Sequence, residues 1–113
     1  MWLFCKRGFY SAVQEFGHPD SIIVRARFRN DLERMQKYLE ERQLGKPGIE
    51  ETPDSDYGYR LRVSRSVWAN FVQDTAKEID YGNFKQAALT DGNRRRSIGY
   101  HEVWSAMRNV AIN

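Results

Sequence analysis

The sequence predicts an α+β domain: a small, mostly antiparallel sheet with three to four helices packed on one face. Three observations carry this expectation. Residues 22–29 and 59–63 alternate apolar and arginine side chains with the period of a β-strand. Three further segments space their apolar residues like one face of a helix. One long connection, residues 45–56, is rich in Gly, Pro and acid. The resulting order, β(β)–β–α–β–α–α–α, segregates strands from helices as an α+β domain does.

Residues 2–14 read as one bent strand or a short hairpin, with aromatic Trp2, Phe4, Phe9 and Tyr10 around a pivot at Gly8. Gly17-His18-Pro19-Asp20 reads as a turn. In the strand that follows, Ile22, Val24, Ala26 and Phe28 turn inward while Arg25, Arg27 and Arg29 line the other face. Asn30 then caps a helix, with Glu33 completing a capping-box-like pair. Leu32, Met35, Tyr38 and Leu39 are its buried stripe, and Gly45 and Pro47 end it.

After the acidic loop, a second strand at about 57–63 turns Leu61 and Val63 inward and Arg60 and Arg62 outward. Ser64 caps a helix carrying Val67, Trp68, Phe71, Val72, Thr75 and Ile79 at helical spacing. Asp80-Tyr81-Gly82 breaks it, residues 84–89 form a shorter helix, and 90–97 are a polar, basic connector. A final helix, 98–110, places Tyr100, Val103, Trp104, Met107 and Val110 on one face. Trp68 and Trp104 are expected in the core.

A chain of 113 residues fits one domain, 1–113, with a single modest core. Its 41% apolar and 29% charged residues are those of a soluble globular protein. No apolar run approaches the roughly 20 residues that span a bilayer, so no membrane is expected as a partner. Met1-Trp2-Leu3-Phe4-Cys5 is followed at once by Lys6-Arg7 and is not read as a signal peptide. One cysteine forms no internal disulfide and suits a cytoplasmic protein.

The outward arginines are the main functional clue. Net charge is only +3, yet thirteen of the eighteen basic residues are arginine, whose planar fork grips phosphate or carboxylate at two points. Glu50, Glu51, Asp54 and Asp56 gather the acid elsewhere. If the two strands share a sheet, Arg25, Arg27, Arg29, Arg60 and Arg62 stand on one surface, with successive side chains on one strand about 6.5–7 Å apart. That spacing is close to the phosphate repeat of an extended nucleic acid, and aromatic residues beside it are placed to stack on bases. The bland reading of the same face is a set of arginines paired with Glu or Asp of neighbouring strands.

Arg94, Arg95 and Arg96 add a flexible basic cluster that meets phosphates without base selectivity. Lys6-Arg7-Gly8-Phe9-Tyr10 resembles the opening of the RNA-recognition-motif signature, but the match stops at Tyr10-Ser11 and falls on the first strand rather than the third. Core aromatics beside a glycine bend account for it more simply.

Longer segments carry another resemblance. Trp2-x-Phe4-x-Lys6-x-Gly8-Phe9-Tyr10-Ser11, Val24-Arg25-Ala26-Arg27, Ile79-Asp80-Tyr81 with Asn83-Phe84-Lys85, and Tyr100-His101-x-Val103-Trp104 together resemble a family of small, uncharacterised bacterial proteins. The resemblance covers most of the chain and implies a compact single domain, with no activity to carry over. The element order also resembles a ferredoxin-like sheet, an analogy of fold alone.

Catalytic groupings are missing from the spacing. His18 lies before proline, His101 stands beside Glu102 near a helix start, and Cys5 sits in an apolar strand. None forms a nucleophile–base set, a metal-ligand spacing or a phosphate loop, so neither metal nor cofactor is expected. The sequence therefore predicts a non-enzymatic module binding a polyanion, with nucleic acid foremost. The alternatives are an adaptor or inhibitor docking on a larger complex, such as an accessory or mobile-element protein, and a small nuclease. An acidic protein surface or a second copy of the chain are the other partners such a face fits.

Overall fold

The computed structural model describes residues 1–88 and 92–112. They form two compact units, Met1–Ile79 and Asp80–Asn113. The first unit holds an antiparallel sheet of β1 (Trp2–Cys5), β2 (Gly8–Glu15), β3 (His18–Ala26), β4 (Glu50–Glu51) and β5 (Tyr59–Ser64), in the order β1-β2-β3-β5-β4. It also holds helices α1 (Arg29–Glu41) and α2 (Arg65–Lys77). The second unit holds α3 (Phe84–Ala88) and α4 (Arg94–Ile112). The small α+β architecture follows the period-two and period-3.6 patterns of the sequence. Its connectivity is a three-strand meander followed by α1, β4 and β5, not the split βαβ order of a ferredoxin-like sheet.

Residues 2–15 are a hairpin, and Gly8 opens β2 with φ +150°. The next turn is tighter than Gly17-His18-Pro19-Asp20 suggests: Gly17 takes φ +79° and β3 already begins at His18. Pro19 and Asp20 fall where the β2–β3 register shifts between Gln14 and Glu15, so the missing proline N–H breaks no ladder bond.

The first arginine strand ends earlier than its pattern. β3 stops at Ala26, and Arg29 is the first residue of α1 rather than a member of the sheet. Phe28, not Asn30, is the N-cap; it is 37% exposed and caps through its backbone alone. Its carbonyl accepts the Asp31 N–H at 3.1 Å. Glu33 reaches the Arg29 side chain at 4.0 Å instead of closing a capping box.

Leu32, Met35, Tyr38 and Leu39 form the expected buried stripe of α1. The helix ends before Gly45 and Pro47, in a Schellman arrangement: the Leu44 N–H donates to the Leu39 carbonyl and the Gln43 N–H to the Glu40 carbonyl. Gln43 supplies the left-handed residue, at φ +57°. Within the acidic loop, Glu50 and Glu51 pair with Arg60 and Tyr59, adding an edge strand that the sequence pattern did not signal.

Ser64 is both the last residue of β5 and the N-cap of α2, its Oγ accepting the Val67 N–H at 3.2 Å. Trp68 and Phe71 are buried, with Val67 and Val72 packed beside them. Ile79 lies beyond the helix and is exposed. Tyr10, Ala12, Ile22, Val24, Ala26, Leu61 and Val63 complete this core from the sheet. Tyr10 and Tyr38 both meet Phe71 edge-on, at 5.3 and 5.2 Å between ring centres.

In the second unit, Leu89, Thr90 and Asp91 of the expected short helix and connector lie outside the described residues. The remainder of that connector is corrected: Arg94, Arg95 and Arg96 form the first turn of α4, and the Arg96 N–H donates to Asn93 Oδ1 at 3.0 Å. Of the apolar face expected on α4, only Tyr100 is buried, stacked on Phe84 at 5.6 Å. Val103, Trp104, Met107 and Val110 are exposed, so Trp104 is not a core residue.

Candidate functional site

The helix-facing side of the sheet is fixed by Tyr10, Ala12, Val24 and Leu61, so alternation puts Phe9, Ser11, Val13, Ile23, Arg25, Arg60 and Arg62 on the opposite face. One row crosses all five strands there: Trp2 opposite Ser11, Ser11 opposite Arg25, Arg25 opposite Arg60, and Arg60 opposite Glu50. The neighbouring row sets Val13 against Ile23 and Ile23 against Arg62. The sequence thus places Arg25, Arg60 and Arg62 correctly on one face. Arg29 leaves it for α1, and Arg27 follows the end of β3.

Most of these charges have partners. Arg62 binds Glu15 at 2.9 Å and also Glu50. Donation from the Ser21 hydroxyl, and then from Arg62, holds the Glu15 carboxyl below its ordinary pKa. Arg27 pairs with Asp56 at 3.0 Å, and Arg29 with Glu51 at 3.6 Å. The acidic loop, read from sequence as separate from the arginines, is folded against them. This electrostatic pairing offsets the cost of crowding like charges on one face.

Arg25 and Arg60 are the exceptions. They are directly opposed on β3 and β5, both are half-buried, and among the described residues neither meets a carboxylate. Arg25 donates to Ser11 Oγ at 2.7 Å, and Arg60 reaches only Ser55 Oγ, at 3.5 Å. The Nε atoms of both are buried without an acceptor. Two directly opposed cations without a carboxylate partner repel each other, a cost that an anion between them would relieve.

An aromatic group adjoins them. Phe4 and Phe9 stack at 4.3 Å, and Trp2 meets Phe9 edge-on at 6.2 Å. Tyr57 lies 6.3 Å from Phe9, and its ring is approached by the guanidiniums of Arg25 at 4.7 Å and Arg27 at 4.6 Å. Tyr57 is buried although it precedes its strand. Period two through Tyr59, Leu61 and Val63 would turn it toward the helices; because β5 begins only at Tyr59, it packs against Phe9, Arg25 and Arg27 instead.

The other expected basic residues belong to other elements. The Arg7 side chain binds Glu78 at 2.5 Å and lies over the Tyr38 ring, whereas Lys6 is exposed in the β1–β2 turn. Arg94 and Arg95 are exposed, but Arg96 is buried and donates to the Tyr100 hydroxyl at 3.0 Å, so the triplet is not a flexible cluster.

Burial raises the pKa of the Cys5 thiol and keeps it protonated. His18 and His101 are both exposed, and His101 stacks on Trp104 at 5.6 Å. Among the described residues, no three His, Cys, Asp or Glu side chains gather as a metal site, and no helix is long and apolar enough to cross a membrane. The chain matches no protein-family model, no curated protein and no solved structure.

Proposed function

We propose that this chain is a non-enzymatic binding module that holds a polyanion, specifically a nucleic acid, on the open face of its sheet. The observation carrying this reading is the opposed pair Arg25 and Arg60, unmatched by carboxylate in a face whose third arginine, Arg62, is matched twice. A phosphate between them accepts from both guanidiniums and relieves their repulsion. The single buried thiol suits a reducing compartment, and the cytoplasm is the location we propose.

The test is anisotropy of a labelled oligonucleotide across a salt series. The one phosphate neutralised between this pair gives a slope near about −0.7 in log K against log salt for a single strand. Changing Arg25 and Arg60 together to Gln should flatten the slope. Absence of binding at low salt would overturn the reading.

A second reading, an adaptor or inhibitor docking on a larger protein, is favoured by a different observation. Val103, Trp104, Met107 and Val110 make an exposed apolar stripe along α4. A stably co-purifying protein, lost on Trp104→Ala and Met107→Ala, would support it.

A further inference from the structure

We infer that the nucleic acid held by this face is single-stranded, its phosphate seated between Arg25 and Arg60 and an unpaired base stacked on an aromatic shelf of Trp2 and Phe9. This rests on the polyanion reading above and adds the form of the ligand.

Trp2 and Arg60 belong to one cross-strand row, three strands apart. At about 4.8 Å per strand, they stand roughly 14 Å from each other. Two nucleotides of an extended chain, at about 6–7 Å each, bridge that distance. The shelf is accessible: Trp2 is 69% exposed, and Phe9 is half-exposed with Phe4 stacked beneath one side of it. An exposed indole in the same cross-strand row as two unmatched guanidiniums suits a ligand with both a π-face and a negative charge in each repeat unit. Nucleotides have both.

Duplex does not fit the same surface. Five strands at about 4.8 Å make a face roughly 19 Å across, wider than the approximately 12 Å major groove of B-DNA. A duplex can offer this face only its phosphates, with its bases paired and stacked out of reach. The aromatic shelf then adds nothing to the arginine pair. Unpaired bases can leave their own stack and lie on Trp2.

The experiment compares three ligands at one salt concentration: a twelve-nucleotide oligothymidylate, an abasic strand with the same number of phosphates, and a duplex of equal phosphate count. Trp2→Ala and Trp2→Phe are measured beside the wild type. The single strand should bind at least about 5-fold more tightly than the abasic strand or the duplex, since one base stack is worth a factor of about 5 to 150. It should also quench tryptophan fluorescence. Trp2→Ala should abolish both the preference and that quenching, and Trp2→Phe should restore most of the preference. Equal binding of all three ligands, or a preference that survives Trp2→Ala, overturns the shelf and leaves the polyanion face standing. No binding of any ligand overturns both.

Discussion

The buried carboxyl of Asp31 occupies the space that a side chain on Gly8 would need. A Cβ placed on Gly8 would lie 2.3 Å from Asp31 Cγ. The close approach lets Asp31 Oδ2 accept the Phe9 N–H at 3.1 Å, and Oδ1 accepts from Arg34 at 3.0 Å. Helix α1 is thereby tied to the start of β2. Gly8→Ala meets both this clash and a φ of +150° and should cost roughly 2–5 kcal/mol. Chemical denaturation measures it; wild-type stability would show that the carboxyl can move aside.

Gln43 predicts a gain. It holds φ +57° at the end of α1, where glycine carries no Cβ penalty. Gln43→Gly should therefore stabilise by about 0.5–1 kcal/mol, read as a raised melting temperature.

The two buried-aromatic expectations separate cleanly. Trp68 is 6% exposed and stacks on Phe71, so Trp68→Ala should cost about 3–5 kcal/mol. Trp104 is 46% exposed, and Trp104→Ala should stay within about 0.5 kcal/mol of wild type. Equal losses in the two variants would contradict this placement.

Tyr38 and Asp74 set the pH limits together. The Tyr38 hydroxyl donates to Asp74 at 2.5 Å. Desolvation, and then this bond to a carboxylate, push the tyrosine up to about 12. The same bond, followed by Arg42, lowers the Asp74 carboxyl. A raised tyrosine stabilises fully below its unfolded value of about 10 and loses that contribution as pH rises toward the folded value. A depressed carboxyl stabilises above about 3.9 and loses its contribution as pH falls through the folded value. Melting temperature should thus fall above about pH 10 and below about pH 4. Tyr38→Phe should flatten the alkaline limb in part, because buried Tyr10 is raised as well, and Asp74→Asn should flatten the acid limb in part, because Glu15 is lowered as well.

Glu50 competes with any anion for Arg62. Glu50→Gln removes one of the two carboxylates on that guanidinium and should tighten oligonucleotide binding by up to about 5-fold, the equivalent of about 1 kcal/mol for an exposed pair. Stability should change by less than about 1 kcal/mol. Unchanged affinity would remove Arg62 from the binding face.

The parts legible in the sequence are those where one local rule acts alone. Period two placed Val24 against the core and Arg25 away from it, and Ser64 announced α2 because a serine before a helical stripe has few other uses. Where two rules competed, the longer-range one won. The alternation through Arg29 continued on paper, but Asp31 draws the chain into α1 after Ala26. The stripe on α4 has helical spacing, yet spacing states only that a face is apolar, not that anything covers it. The contacts of Tyr57, Glu50 and Asp31 were invisible for a common reason: each acts on residues distant in sequence, through contacts that no window along the chain contains.

Ser64 has a mechanical consequence. It pairs with Ser21 across the sheet and, without an intervening residue, caps α2. Strand and helix therefore share a joint with no slack, and a slip of β5 by one position would rotate the start of α2 as well as invert the faces of β5. The stretch 45–49 can absorb an inserted residue at small entropic cost, whereas an insertion between Ser64 and Arg65 would pull the cap from the helix or the strand from its partner. The chain has length to spare before β4 and none at the point where sheet becomes helix.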